Sequence, residues 1–227
     1  MNKSKLSAAL HPMPFTRIEL AILSVIDGQL QVMLIRRAEA PAQGLWALPG
    51  GVLRIDLDAD LEAAARRVAK ERLGIALGEL ALVTAAGGAA RDPRAPWTLS
   101  LLFQAFVQSD AIQPQPGKRV EAFEWRPFER LATDDCLAFD HQHLTNLAVA
   151  HAQTNVRNLA IPAGLMPATF TLTELQASCE SVLGAPLDKS RFRQRVEARQ
   201  LVFAVPGATK TGAFRPAQIY RLSAAKM

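Results

Sequence analysis

Leu48-Pro49-Gly50-Gly51, followed by Asp60-Leu-Glu-Ala-Ala-Ala-Arg-Arg-Val-Ala-Lys-Glu-Arg-Leu73-Gly74, is the stretch whose reading decides the fold. Two adjacent glycines let the backbone turn sharply and admit a close neighbour. Leu61, Ala64, Ala65, Val68, Ala69 and Leu73 recur at spacings of three and four, which predicts an amphipathic helix. Its opposite face carries Glu62, Arg66, Lys70 and Glu71. Asp58 or Asp60 is placed to cap the start, and Gly74 to stop the helix.

Strands surround this loop–helix unit. Residues 16–26 are rich in β-branched side chains, Asp27-Gly28 is a turn signal, and 30–37 reads as the returning strand, closed by Arg36 and Arg37. Beyond the helix, 79–86 reads as a strand that ends at Gly87-Gly88. The loop Ala90-Arg91-Asp92-Pro-Arg94-Ala-Pro-Trp97 follows, where Asp-Pro favours a turn. Residues 98–107 and 119–125 are further strands, separated by Gln113-Pro-Gln-Pro-Gly117. Leu137-Ala-Phe-Asp140-His141 then leads a helix through Leu144, Leu147 and His151, with Asp140 as its expected N-cap.

The Gly-Gly turn and helix resemble a Nudix box, the element with which that superfamily holds a divalent metal against a diphosphate. Anchored on Gly74, Arg67 matches the pattern's arginine and Glu71 the first of its paired glutamates. The glutamate expected after the arginine is Val68, the second of the pair is Arg72, and the earlier one falls on Ala59, flanked by Asp58 and Asp60. The Gly-Gly pair also lies two residues further upstream than the pattern allows. Magnesium takes hard oxygen ligands, which such a helix supplies as carboxylates one turn apart. Arg72 puts a cation there instead. At about 4 Å and an effective dielectric near 20, like charges cost about 4 kcal/mol per unit charge. No metal site is therefore expected, and no catalytic residue is assigned.

Composition bounds the rest. The chain has 227 residues, 49% hydrophobic and 21% charged, enough for one large domain or two ordinary ones. Two distant cysteines, Cys136 and Cys179, make no disulfide framework, which fits a reducing cytoplasm. No apolar run reaches the roughly 18 residues that span a bilayer, so no membrane partner is expected. From Leu165 onward there are nine Lys or Arg against four Asp or Glu, a balance of +5 that equals the whole chain's formal excess. A neutral body with a basic end points to a polyanion partner for that end.

That end has its own pattern. Ile161-Pro-Ala-Gly-Leu-Met-Pro167 is a punctuated connection, which places one domain at 1–160 and a second at 165–227. Thr171-Leu-Thr-Glu174 has the spacing of a capping box. The helix it opens would bury Leu172, Leu175, Val182 and Leu183 and end at Gly184. A second helix runs from about Asp188 or Ser190 to Gln200, with Phe192 and Val196 inward. It presents Lys189, Arg191, Arg193, Gln194 and Arg195. Residues 201–205 and 218–222 are strands about a loop, 206–216, that carries Lys210 and Arg215. Helix, turn, arginine-laden helix and basic hairpin make a winged helix-turn-helix, whose second helix enters the major groove.

The pairing resembles the Nudix-related transcriptional regulators of NAD metabolism, the NrtR family. The carrying segments are 44–51, Arg91-Asp92, 137–141, 170–175, 187–193 and 215–221. One departure is Gly212-Ala-Phe-Arg-Pro216, longer than the family's Gly-Arg-Pro. The resemblance implies an α/β fold, a Nudix α/β/α sandwich with a mixed sheet, followed by a small winged helix-turn-helix domain. It implies a homodimeric, cytoplasmic repressor on a palindromic double-stranded DNA operator, sensing ADP-ribose or a related NAD metabolite and needing no cofactor. Arg36, Arg37, Trp46, Gly51, Glu71, Arg91, Asp92 and Trp97 are the expected effector contacts. Lys189, Arg191, Arg193, Gln194, Arg195, Lys210 and Arg215 are the expected DNA contacts. Two alternatives stand beside it: an active pyrophosphatase for ADP-ribose-like substrates, using Asp56, Asp58, Asp60 and Glu62, and a regulator that senses a sugar.

Overall fold

The computed structural model describes residues 13–131, 137–210 and 216–223. Strand β1 (Phe15–Ile26) and β2 (Gln29–Arg37) form a hairpin whose turn residues Asp27 and Gly28 both have positive φ. That geometry matches strand twist and explains the Asp-Gly pair. Short strands β3 (Trp46–Ala47) and β4 (Gly50–Val52) pair with β2 and β1. β5 (Ala81–Ala89), β6 (Trp97–Phe106) and β7 (Val120–Pro127) complete one mixed sheet of order β3-β2-β1-β6-β5, with β7 on β2. Only β1 and β6 run parallel, among the described strands.

Strand alternation gives the sheet two apolar faces. Ile18, Leu20, Ile22, Met33 and Ile35 pack under α1 (Leu61–Leu73), against Ala65, Val68 and Leu73. α1 starts at Asp60, whose carboxylate accepts from Ala63 N, and ends at Gly74 in the left-handed region. Asp58 is not the cap: it pairs with Arg67. Leu61, the first residue of α1, is 38% exposed and stays outside that apolar face.

Ala21, Leu23, Val32 and Leu34 form the other face. The short α2 (Phe128–Leu131) and the long α3 (His141–Arg157) cover it, and so does α4 (Leu172–Leu183). α5 (Lys189–Ala198), β8 (Val202–Lys210) and β9 (Ala217–Leu222) complete a winged helix, with Phe170 adding a bridge to Tyr220 of the hairpin. Leu175, Cys179, Val182, Phe192 and Val196 belong to the same apolar cluster as Leu23 and Leu34. The winged helix therefore shares a core with the body.

Four sequence expectations change. Gly87 and Gly88 lie inside β5, not after it; Trp97 covers Gly87 so closely that an added Cβ would come within 2.4 Å of its ring. α5 ends at Ala198, with Asp188 capping Arg191 N. The wing strand extends to Lys210 through a bulge between Ala204 and Thr209, which Gln218 closes by donating to the carbonyls of Val205 and Ala208. Asp140 stands at the head of α3 but makes no side-chain cap bond, since its carboxylate is taken by Arg91. The capping box at Thr171 and Glu174 forms as the spacing requires.

Candidate functional site

The N-terminal half of β1 carries Arg17 and Glu19, a buried pair joined at 2.7 Å. Burial opposes the Arg17 charge, but Glu19 outweighs it and holds the guanidinium above its ordinary pKa. Glu19 lies beneath Gly50: an added Cβ there would fall 1.8 Å from Oε2, so the first glycine of the box is required by this close approach. That oxygen has no hydrogen-bond partner among the described residues. His141, the first residue of α3, stands 3.9 Å from it. His141 Nδ1 accepts from Leu48 N at 2.9 Å, so the neutral ring carries its proton on Nε2. Desolvation lowers the His141 pKa, and the contact is not an ion pair at neutral pH.

The Arg91–Arg94 loop closes over this cluster. Asp92 is buried, accepts from Arg94 N and pairs with the Arg94 side chain. Burial raises its pKa, yet those bonds win and hold it low. The Arg94 guanidinium lies over Phe15 and Phe139. Arg91 donates to Asp140 Oδ2 at 2.7 Å and to the carbonyl of Ala86. The space among Arg17, Glu19, Arg91, Phe139 and His141 is only about 10 Å³, barely a water, with the Arg91–Asp140 pair on its wall.

Arg36 and Arg37, adjacent on β2, part company. Arg36 is exposed and pairs with Glu121, away from the cluster. Arg37 is half-buried, lies over Phe139 and donates to the carbonyl of Pro41. Burial, then Arg17 and Arg94, lower its pKa, which places it within reach of both charges. Trp46 is half-buried with the Arg126 guanidinium 5.2 Å above its ring, and Trp97 is 45% exposed beside Gly87.

The box itself is informative. Val68 and Arg72 face the Gly50–Gly51 strand: Val68 lies 2.8 Å from where a Cβ of Gly51 would stand, and Arg72 Nε donates to Gly50 O at 2.8 Å. Arg72 Nη1 donates to Lys118 O at 2.6 Å. Glu71 turns to Arg67 instead, at 3.3 Å. Magnesium needs oxygen donors here, and the side chains that face the loop are an isopropyl group and a guanidinium. The residues do not fit the metal. The loop acids are engaged elsewhere, Asp56 with Arg54, Asp58 with Arg67, Asp60 as the helix cap and Glu62 with Arg66. No group of three potential metal ligands occurs among the described residues.

A large cavity lies elsewhere. About 600 Å³ opens at the seam between the winged helix and the body, lined by Gln104, Asn155, Leu159, Phe203 and Leu222. Its charged liners are Glu79 and Arg199, and Arg199 is bonded to the carbonyl of Asn158. Converging cations, which a diphosphate would require, are found at the Arg17 cluster and not here.

On the winged helix, Lys189, Arg191, Gln194 and Arg195 are exposed and Arg193 is half-buried. Arg195 leans back to donate to Arg157 O at 2.8 Å. Lys210 pairs with Glu174. Arg215 lies outside the described residues. The last carbonyls of α3 thus hold two arginines of the α5 end, while its first residues touch the Arg17 cluster. At 1.5 Å per residue its 17 residues span about 25 Å.

In the sequence Arg72 stands out only as a cation in a metal-ligand position, and Arg17, Glu19, Arg94, Phe139 and His141 are not among the expected effector contacts. Charged residues in an otherwise apolar strand, Arg17 and Glu19, were the available signal.

Comparison with known proteins agrees with this layout. Residues 16–147 match the NUDIX domain model and 162–222 the NrtR DNA-binding winged helix domain. The ADPR responsive transcriptional repressor NtrR of Acinetobacter baylyi is 39% identical over 213 residues, 94% of this chain and 84% of that one. The crystal structure of Shewanella oneidensis NrtR complexed with a 27mer DNA is similar at TM-score 0.75 and 27% identity, covering 92% of this chain and 93% of the other. The NUDIX domain of the same regulator, cocrystallised with ADP ribose, is similar at TM-score 0.59 and 25% identity, covering 66% and 99%.

Proposed function

Because the chain belongs to the NrtR family of Nudix-related transcriptional regulators, we propose that it is a DNA-binding repressor of NAD-metabolism genes that senses ADP-ribose or a related NAD metabolite. The observation that carries this reading is α3. Its head, Asp140 and His141, belongs to the arginine cluster, and its tail binds Arg195 and Arg199 beside α5.

The ligand's diphosphate competes with Asp140 for Arg91, with Arg37 and Arg94 as further donors and Phe139 or Trp97 available for stacking. Once Asp140 is released, the head of α3 moves, and the winged helix follows at the seam, where the large cavity leaves room. The ligand need only prefer the conformer whose two winged helices, in a homodimer, are wrongly spaced for successive half-sites. Arg191 and Gln194 are the base-reading candidates; Lys189 and Lys210 address phosphates. Arg195 acts first as the tie to α3.

We further propose that the box does not hydrolyse its ligand. Val68 and Arg72 at the loop-facing positions support this, since neither ligates magnesium or lowers the pKa of an attacking water. A gel shift on the DNA upstream of the chain's own genomic neighbours tests the function. A retarded band that ADP-ribose abolishes and NAD does not is the expected result; a band indifferent to both would refute it.

A further inference from the structure

Charge pairing in the site leaves two cations over. Arg17 is matched by Glu19, Arg94 by Asp92 and Arg91 by Asp140. Arg37 and Arg72 have no carboxylate partner among the described residues; backbone carbonyls hold them instead. They flank one segment: Ala38 N, next to Arg37, donates to Arg119 O, and Arg72 donates to Lys118 O. Burial lowers the Arg72 pKa; Glu71 and Glu19 oppose the shift, while Arg119 and Arg17 add to it. A desolvated guanidinium held only by carbonyls, with no carboxylate paired to it, is incompletely compensated until an anion arrives.

The place it occupies is telling. Arg72 stands where the fold puts a metal-ligating carboxylate, and its guanidinium is bound by the Gly50 and Lys118 carbonyls as a cation would be. Those two bonds use Nε and Nη1, while Nη2 lies 3.8 Å from where a Cβ of Gly51 would stand. A guanidinium fixed by two of its nitrogens can offer the third to a phosphate without further ordering. We propose that Arg72 is a built-in replacement for the divalent ion: it binds the ligand's diphosphate directly, so effector binding requires no metal. This rests on the ADP-ribose reading above and adds the basis of recognition. It would also account for binding without turnover, because a guanidinium attracts the diphosphate but generates no hydroxide.

Calorimetric titration of ADP-ribose into the full chain, in EDTA and in magnesium, tests this. The wild type should bind alike in both media. Arg72→Gln should weaken binding by about ten- to a hundredfold in both, the range for one charge-assisted hydrogen bond. V68E/R72E, which restores the two carboxylates, should bind poorly in EDTA and regain at least about tenfold in magnesium. A purely structural Arg72, clamping α1 to β4, would lower stability but would not make binding metal-dependent. Wild-type binding that needs magnesium would overturn the inference, and so would a folded Arg72→Gln with wild-type affinity. If Arg72→Gln fails to fold, the V68E/R72E pair of titrations decides, and an absent magnesium effect counts against the proposal. A wild type that ignores ADP-ribose in both media overturns the proposed function itself, a result distinct from either of those.

Discussion

The Asp140→Asn substitution should make the protein bind ADP-ribose more tightly and lose some stability. Asp140 Oδ2 accepts from Arg91 Nε at 2.7 Å, with the two side chains 32% and 13% exposed. A hydrogen bond between charged groups contributes about 1.5–3 kcal/mol net. With a third of Asp140 in solvent, screening reduces that to about 1–2 kcal/mol. The amide keeps an acceptor but gives up the charge, so most of this is lost from the ligand-free state. The ligand then no longer has to displace a carboxylate, and its apparent Kd should fall by about five- to thirtyfold. The same loss lowers Tm by about 2–8 °C for a chain of this size. Calorimetric titration and a thermal melt on the same preparation read both. A lowered Tm with unchanged affinity in Asp140→Asn would reduce the pair to a structural tie. Weakened affinity would make Asp140 a ligand contact instead of a competitor, and its release could not then be what moves α3.

Glu19→Gln leaves the buried Arg17 guanidinium without its carboxylate and should destabilise by about 3–5 kcal/mol, a drop in Tm of about 6–20 °C; a melt unchanged within error would show that the pair is worth nothing. Because burial depresses the His141 pKa, the unfolded chain takes up that proton more readily than the folded one. Stability should therefore fall as pH drops below about 6.5 toward the folded value, and His141→Asn should flatten that limb in melts recorded between pH 7 and 5. Arg191→Ala should cost about 1–3 kcal/mol of operator binding and relax base preference. Arg195→Ala should chiefly blunt the response to ADP-ribose while leaving DNA affinity near wild type, which anisotropy titrations with and without the ligand distinguish.

Local chemistry was legible in the sequence wherever it was decided locally. The Asp27-Gly28 hairpin, the helix closed by Gly74 and the Thr171–Glu174 capping box each depend on residues a few positions apart, and each forms. Asp140 shows the limit. Its position at a helix start makes it a cap by local rule, but Arg91, 49 residues away, offers a charge-assisted bond and wins. Arg36 and Arg37 look equivalent in sequence, whereas adjacent strand residues diverge and only Arg37 meets the cluster. Arg17 and Glu19 break the apolar run of β1, but a charged pair at a strand start is as easily solvated as buried, so that signal alone does not place them in a site. The parallel pairing with β6, the Gly50 strand lying over Glu19 and the arrival of α3 bury the pair. Arg72 read as damage to a metal site; its bonds to Gly50 and Lys118 give it a place of its own.

In the proposed function this Nudix domain converts ADP-ribose binding into DNA release without consuming the ligand. A single titration tests it most directly: labelled operator duplex bound to the full chain, magnesium present, ADP-ribose added in steps, with anisotropy recorded and AMP assayed in the same samples. Anisotropy should fall to that of free DNA while ADP-ribose stays intact and AMP does not accumulate. DNA that stays bound at saturating ADP-ribose, or AMP that rises with time in proportion to protein, would contradict it.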